Sequence, residues 1–139
     1  RYVNSGKGIL GICLGMQILF ENGHEYEPTD GLSLIPGNVC KISTELNKVR
    51  LPHIKWSHVD LHEYSDLMFS NITMGTRFYF VHSYAAINVP CEFVAATVSY
   101  GSSEIIAAVV RDNIWGTQFH PEKSGPQGLL LLNNFIKNC

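Results

Sequence analysis

The residue with the clearest chemical potential in this sequence is a cysteine between two glycines, in the motif Gly11-Ile12-Cys13-Leu14-Gly15. Residues 8–12 before it are typical of a short buried strand, and residues 14–22 after it follow a helical pattern. A strand that turns at once into a helix lifts one side chain above the sheet, and flanking glycines relieve crowding at that corner. We expect the amides of the first helical turn, that of Leu14 first, to favour the Cys13 thiolate and to bind a developing oxyanion. The motif predicts a nucleophilic thiol, and a buried structural cysteine in a glycine-rich turn is the alternative.

A thiol nucleophile needs a base, and the base needs a group that orients it. Among the six histidines, His120 stands out because it ends the predicted strand of residues 114–119 and is followed by Pro121 and Glu122. Proline stops the strand, so His120 is expected on a strand-end loop, where catalytic groups gather. We expect Glu122 to accept a hydrogen bond from the imidazole, whereas a surface histidine beside a solvated glutamate is the alternative. His82 is a rival base, but no carboxylate follows two residues on, so it is predicted to be a pocket or packing histidine.

Three further histidines are close enough in sequence to be considered as metal ligands, namely His53, His58 and His62. The neighbouring Asp60 and Glu63 are typical of an ordinary exposed strand face, and no cysteine completes the set. Structural zinc sites use tighter ligand pairs than this. The sequence therefore predicts no metal site, and it predicts no cofactor.

Composition excludes several classes of protein. The net charge of the 139 residues is −2, without the basic surplus of a nucleic-acid-binding protein. No apolar run approaches the roughly 20 residues that a membrane span needs. The four cysteines are irregularly spaced without a CxxC motif, which argues against a disulfide framework and favours a reducing, cytoplasmic setting.

The periodicity of the chain predicts an α/β fold in one domain that covers residues 1–139. Turn signals at Gly101 and Asp112 separate the last strands, which are therefore expected to form antiparallel hairpins. Residues 24–37 are predicted to be a loop. The predicted strands are residues 8–12, 39–43, 57–61, 77–83, 93–100, 105–111 and 114–119, and the predicted helices are residues 14–22, 66–72 and 126–137.

Four segments together resemble a known family: GICLGMQ, LPHIKW, YFVHSY and GTQFHPEKS are similar to segments of the class I (triad) glutamine amidotransferases. More narrowly, they resemble the glutaminase subunits of imidazole glycerol phosphate synthase, an enzyme of histidine biosynthesis. The resemblance extends from Gly8 to Phe135. It implies a flavodoxin-like α/β domain with a central, largely parallel sheet and a C-terminal antiparallel hairpin region. Against the family's length, roughly 70 residues are missing at the start, including the opening βα units and a Pro-Gly-rich loop that supplies a second oxyanion contact.

The resemblance implies a role for each matching residue. Cys13 would attack the side-chain amide of L-glutamine, His120 would act as the base and Glu122 would orient His120. The residues implied to contact glutamine are Leu14, Gln17, Ser83 and Tyr84, and those implied to face a partner are Trp56, Tyr79 and Lys123. The implied partner is a synthase subunit with a (β/α)8 barrel fold, which would form a heterodimer with the glutaminase and receive ammonia from it.

Two departures from the family pattern, the opening segment that is not matched here and a change on both sides of the tryptophan, keep alternatives open. Lys55 and Ser57 stand where the family normally has a glycine and an asparagine around the tryptophan. A paralogous glutaminase that feeds ammonia to the amination of surface-polysaccharide sugars is one alternative. An inert, regulatory amidotransferase-like module is a second, and a cysteine hydrolase of another γ-glutamyl compound is a third.

Overall fold

The computed structural model describes residues 2–65 and 67–139. The strands are β1 Ile9–Ile12, β2 Asn22–His24, β3 Pro28–Asp30, β4 Asn38–Lys41, β5 His53–His58, β6 Asp60–Leu61, β7 Arg77–His82, β8 Tyr84–Ile87, β9 Val94–Tyr100, β10 Ser103–Arg111 and β11 Ile114–Thr117. The helices are α1 Leu14–Gln17, α2 Thr44–Asn47 and α3 Gly125–Asn138, and short 3-10 turns lie at Val3–Ser5, Glu63–Ser65, Cys91–Phe93 and Pro121–Lys123.

The main sheet has five strands in the order β1-β11-β10-β9-β6. β1 pairs with β11 in parallel, and the other neighbours pair antiparallel. The two hairpins turn at Gly101-Ser102 and Asp112-Asn113, as the turn signals predict. Parallel pairing in this sheet is therefore confined to one pair of strands, less than the largely parallel sheet that was expected. The physical reason is that a two-residue connection can join only antiparallel strands.

Two smaller sheets complete the fold. One has the order β3-β2-β4-β8, and the other pairs β5 with β7 antiparallel. The predicted loop of residues 24–37 was wrong in part, because β2 ends at His24 and β3 lies within that range. In the two-stranded sheet His53 lies opposite His82 and Trp56 lies opposite Tyr79, a register that matters for the site described below.

The predicted helices differ in how well they match the structure. α3 forms nearly as expected, whereas α1 ends at Gln17 rather than at residue 22. The carbonyls of Ile18 and Leu19 accept hydrogen bonds from the returning segment, at Leu32 (2.8 Å) and Ile35 (3.0 Å), instead of continuing the helix. The predicted helix of residues 66–72 was also wrong, since residues 67–71 form turns; Asp66 lies outside the described residues.

The core lies on both faces of the main sheet. Neighbouring residues of β11, Ile114 and Trp115, belong to two different apolar clusters because successive side chains of a strand point to opposite faces. α3 covers one face, with Leu131 fully buried and the Phe135 ring 5.6 Å from the Trp115 ring. Met16 of α1 is fully buried in the other cluster. No helix within the described residues is long and apolar enough to cross a membrane.

Candidate active site

The parallel pair of strands brings the two parts of the candidate site to one edge of the sheet. Ile12 is opposite Thr117, and the Cys13 amide donates to the Thr117 carbonyl at 2.7 Å. Cys13 follows the carboxyl end of β1 directly, and His120 follows the carboxyl end of β11. Crevices at the carboxyl ends of neighbouring parallel strands are where α/β folds place their ligands.

Cys13 occupies the sharp turn that the motif predicts. Its backbone has φ 53° and ψ −108°, a combination that is costly for a residue with a side chain and is often found at functional sites. A Cβ at Gly11 would lie 2.4 Å from the Gly15 carbonyl oxygen, so the turn requires glycine there. Apart from its chain neighbours and the backbone of α1, no atom lies within 4 Å of the corresponding position at Gly15. The expectation of steric crowding at both glycines therefore holds for Gly11 and was wrong for Gly15.

The Cys13 sulfur is half-buried and contacts two polar groups. The Gln118 side-chain amide approaches it at 3.6 Å, and the Val81 carbonyl lies at 3.8 Å. Burial raises the Cys13 pKa, and this effect outweighs the Leu14 backbone amide and the Gln118 amide, which both lower it. The expectation that helix amides favour the thiolate is therefore right in direction for Leu14 but wrong for the net shift. The raised pKa therefore favours the protonated thiol of Cys13 over the thiolate.

His120 is held on both sides by hydrogen bonds. Its Nδ1 lies 2.6 Å from the Glu122 carboxylate, the contact that the sequence predicts. Its backbone amide donates to the Tyr79 carbonyl at 2.9 Å, and its carbonyl accepts from the Ser124 hydroxyl at 2.6 Å. In the part of the chain that the structure describes, no hydrogen bond engages its Nε2, which is therefore the nitrogen available for proton exchange.

His82 has no nitrogen left for the Cys13 proton. Its Nδ1 contacts the Tyr84 carbonyl at 2.8 Å, and its Nε2 contacts Nδ1 of His53 at 3.0 Å. His82 is thus buried with both ring nitrogens paired, an arrangement that favours the prediction of a pocket or packing histidine. The histidines once considered as metal ligands have separate partners: His53 pairs with His82, His58 accepts from Arg77 and His62 contacts Thr97. Among residues 2–65 and 67–139, no three metal-ligating side chains form a group.

A cleft of about 270 Å³ adjoins α1 and is lined by three of the four residues predicted to contact glutamine, Leu14, Gln17 and Tyr84. The fourth, Ser83, lies next to Tyr84 in the chain, where its carbonyl accepts from the Ile42 amide at 3.0 Å, and it does not line the cleft. Sequence reasoning missed three carboxylates that also line the cleft, Glu25, Glu27 and Asp30. Three carboxylates within six residues of the predicted loop were the feature of the sequence that could have indicated a binding site for a positively charged group. The Tyr84 hydroxyl donates to the Glu25 carbonyl at 3.0 Å.

Two of the three residues predicted to face a partner, Tyr79 and Lys123, lie beside His120 and Glu122, and the third, Trp56, packs on Tyr79. The Trp56 and Tyr79 rings have centroids 5.8 Å apart, and about half of the Trp56 surface is exposed. Lys123 directly follows Glu122 in the 3-10 turn and is exposed. Because the Tyr79 carbonyl also holds the His120 amide, this exposed patch is connected directly to the histidine.

The stability of the protein should fall on acidification from about pH 6.5 to pH 4 because of His53. Burial, with smaller effects from His82 and Lys55, lowers the pKa of His53 from 6.5 to about 4. The unfolded chain therefore binds a proton in this interval that the folded chain does not, so the free energy of unfolding decreases as the pH falls. We expect urea unfolding of the full-length protein to show a loss on the order of 1–3 kcal/mol from this residue between pH 7 and 4.5. His53→Leu should reduce the loss, and an unchanged loss would contradict the prediction.

The chain matches the family Glutamine amidotransferase class-I over residues 1–139. It is 45% identical over 133 residues to "Imidazole glycerol phosphate synthase subunit HisH" of Pyrococcus furiosus, with 96% of this chain and 66% of that protein covered. A protein of the same name from Syntrophotalea carbinolica is 41% identical over 139 residues, with 97% and 66% covered. The chain thus spans slightly less than two thirds of the length of these relatives.

The solved structures support the α/β fold class. A putative GMP synthase subunit from Thermoplasma acidophilum superimposes with a TM-score of 0.67 at 24% identity, over 99% of this chain and 60% of that chain. A second structure, titled glutamine amidotransferase, gives a TM-score of 0.66 at 14% identity, over 96% and 64%. These likenesses concern the fold, whereas the family match extends over residues 1–139 and includes the cysteine turn and the histidine–glutamate pair. The chain belongs to the class-I glutamine amidotransferase family.

Proposed function

We propose that this chain carries the active site of a glutaminase subunit of imidazole glycerol phosphate synthase, which hydrolyses L-glutamine to glutamate and ammonia. The observation that carries the proposal is the placement of a thiol and an imidazole–carboxylate pair at the carboxyl ends of two adjacent parallel strands. The names of the relatives support a subunit of histidine biosynthesis rather than the polysaccharide paralogue. Such a subunit would work in the cytoplasm.

In the proposed reaction, Nε2 of His120 takes the Cys13 proton while the sulfur attacks the carboxamide carbon of glutamine. The Leu14 amide, which lowers the Cys13 pKa against the larger effect of burial, stabilises the oxyanion that forms. His120 then protonates the departing nitrogen, so that ammonia leaves and a thioester remains. Water attacks the thioester while His120 takes the water's proton, and His120 returns that proton to the departing sulfur, so that glutamate and the thiol are released. Glu122 accepts from Nδ1 and keeps that proton in place throughout, so that Nε2 is the nitrogen that exchanges protons.

Substrate glutamine is proposed to bind in the cleft beside α1, with its carboxamide toward Cys13. The acidic lining suits the ammonium group of an amino acid, and Glu25 is the candidate because Tyr84 holds its backbone. Gln17 and Tyr84 line the same cleft, and Ser83 contributes through its backbone next to Tyr84.

Glu25→Gln is expected to raise the KM for glutamine with little change in kcat. A hydrogen-bonded charge pair with the ammonium group is lost, which corresponds to an increase of about tenfold. Steady-state kinetics of the full-length protein measure both constants. Glu45→Gln, at an exposed position on α2 outside the cleft, is the control. If the KM of Glu25→Gln were unchanged, Glu25 would not be the residue that binds the ammonium group of glutamine.

The partner is proposed to be a cyclase subunit with a (β/α)8 barrel fold that docks on Trp56, Tyr79 and Lys123. Half-exposed aromatic residues of this kind often supply the central contacts of an interface. Ammonia needs a sheltered path because in water at neutral pH it is mostly ammonium, which is not a nucleophile. A docking surface beside His120 places the partner where ammonia is released.

The test uses the full-length protein with its barrel partner. Glutamate release should be stimulated by the partner, and the nitrogen of ¹⁵N-amide glutamine should appear in the product of the partner's reaction. Trp56→Ala should weaken the complex, measured by calorimetry. Glutamate release that is independent of any partner, with the label found only in free ammonium, would instead indicate a γ-glutamyl hydrolase.

A glutamine-like diazo-ketone is expected to label Cys13 alone among the four cysteines. The reagent must be held in the cleft beside α1 and must meet a thiol at the strand–helix turn. None of the other three cysteines lies at such a turn or lines the cleft. Cys91 and Cys139 are exposed, so iodoacetamide should label them and provides the control for accessibility. Peptide mapping distinguishes the sites. Diazo-ketone label on Cys40, Cys91 or Cys139 without label on Cys13 would remove Cys13 as the nucleophile.

A further inference from the structure

Two histidines that take no part in the proposed reaction form a buried hydrogen-bonded pair next to the site. His53 has no exposed surface, and its ring stacks on Phe80 and Tyr100 with centroids 5.0 and 4.0 Å away. Its Nδ1 lies 3.0 Å from Nε2 of His82, and its Nε2 lies 3.3 Å from the Ser57 hydroxyl. Buried imidazoles cost free energy unless every ring nitrogen is paired, and here all four nitrogens have a partner.

Only one assignment of donors and acceptors fits the hydrogen bonds of this pair. A backbone carbonyl accepts and never donates, so the 2.8 Å contact to the Tyr84 oxygen requires a proton on Nδ1 of His82. Burial lowers the pKa of His82, which favours the neutral ring, and Nε2 is then an acceptor. The proton between the two rings therefore belongs to Nδ1 of His53. Nε2 of His53 accepts in turn from the Ser57 hydroxyl.

The Tyr84 carbonyl joins this pair to the candidate site. It also accepts from the Gln17 side-chain amide at 3.2 Å, which fixes the amide nitrogen toward Tyr84. The same nitrogen donates to the Gln118 side-chain oxygen at 3.1 Å. The nitrogen of Gln118 is thereby turned to the Cys13 sulfur at 3.6 Å. Both hydrogens of the Gln17 amide are used inside the protein, so its oxygen is the atom that remains for a donor group of a molecule in the cleft.

We propose that His53 and His82 are positioning residues for the substrate-binding amide of Gln17. They hold the Tyr84 carbonyl in place and fix which end of Gln17 faces the cleft. Because Gln17 donates to the Gln118 oxygen, the Gln118 nitrogen faces the Cys13 thiol, and the series of hydrogen bonds ends there. The role of this arrangement in binding glutamine rests on the proposed glutaminase function. The assignment of donors and acceptors is independent of that function.

The first test checks that assignment without any activity. In the full-length protein labelled with ¹⁵N-histidine, long-range ¹H–¹⁵N spectra at pH 7 should show both rings neutral with the proton on Nδ1. In His53→Leu the acceptor Nε2 of His82 loses its donor, so the ¹⁵N resonance of Nε2 should move toward that of an unbonded ring nitrogen while the proton stays on Nδ1, held by the Tyr84 carbonyl. An Nε2–H tautomer or an imidazolium at either histidine in the unsubstituted protein would overturn the proposal.

The second test compares two substitutions of His53 that separate hydrogen bonding from packing. His53→Leu nearly keeps the volume and removes the donor, whereas His53→Asn places an amide donor where Nδ1 lies and leaves a larger void. We expect the KM for glutamine to rise about fivefold in His53→Leu, as for loss of one oriented hydrogen bond, and to stay within about twofold in His53→Asn. The pH profile of Cys13 alkylation by iodoacetamide should shift to higher pH in His53→Leu alone.

The two readouts separate failure of this proposal from failure of the proposed function. If the protein does not hydrolyse glutamine, the tautomers and the alkylation profiles still report on the hydrogen bonds. If His53→Leu folds and keeps the unsubstituted KM and alkylation profile, the pair is a packing feature and the proposal is wrong. An effect equal in both variants, or larger in His53→Asn, would also show that packing, and not the donor, is what matters.

Discussion

Cys13→Ala is expected to abolish glutamine-dependent turnover of the full-length protein with its barrel partner, and to leave turnover driven by added ammonium salts near the unsubstituted rate. Alanine removes the atom that forms the thioester, and no neighbouring group among the described residues can replace the half-buried sulfur. The loss should be at least about 10³-fold. Under the proposed function, added ammonia enters the partner's reaction after the glutaminase step and does not need the thiol. Loss of ammonia-driven turnover would mean that the substitution disrupts the complex.

His120→Ala should behave in the same way, because the half-buried Cys13 has a raised pKa and needs a base. Glu122→Gln should keep more activity than His120→Ala, since the carboxylate acts only through the imidazole. The variants are compared by glutamate release and by product formed from ammonium salts. His82→Asn keeps a donor for the Tyr84 carbonyl and tests the rival base. If it lowered kcat as much as His120→Ala, the assignment of the base would be wrong.

The local parts of this site could be predicted from the sequence because their geometry is set by neighbours in the chain. The turn at Cys13 follows from a buried strand, a glycine and a helix start in direct succession. Glu122 reaches His120 because the two residues are only two positions apart. The hairpins of the main sheet follow in the same way from the turn residues between their strands.

The parts that sequence reasoning missed depend on strand register. His53 and His82 are 29 positions apart and meet because β5 and β7 pair in that register, which neither segment specifies by itself. Gln118 contacts Cys13 across 105 positions through the parallel pairing of β1 with β11. The early end of α1 has a similar cause. The carbonyls of Ile18 and Leu19 accept hydrogen bonds from a segment more than a dozen residues later in the chain.

The shift of the Cys13 pKa illustrates a second limit. The pattern around Cys13 correctly indicates a favourable amide, that of Leu14, but it contains no information about burial. Desolvation of the thiolate is set by the strands and loops that cover the sulfur, and it outweighs the amide. The sign of the net shift could therefore be obtained only from the folded structure.

Gly11→Ala is expected to destabilise the protein strongly and to displace the nucleophile. The new methyl group would lie 2.4 Å from the Gly15 carbonyl oxygen and 2.7 Å from the Met16 backbone nitrogen. Both are backbone atoms of α1, so no flexible side chain can move aside, and the start of the helix must shift. Forcing atoms into a packed region costs about 1–3 kcal/mol and sometimes more. A displacement of Cys13 by about 1 Å relative to His120 is enough to lower turnover about 10²-fold.

Gly15→Ala is the matched control, because it adds the same methyl group four residues later in the same motif. Apart from its chain neighbours and the backbone of α1, no atom lies within 4 Å of that position, and alanine in a helix is favoured over glycine by about 1 kcal/mol or less. Urea unfolding should therefore show a large loss of stability for Gly11→Ala and none for Gly15→Ala. The rate of Cys13 alkylation by iodoacetamide should change in the first variant and not in the second. Equal stability of the two variants would mean that the turn accommodates a side chain at Gly11, and the steric account of the Cys13 turn would be wrong.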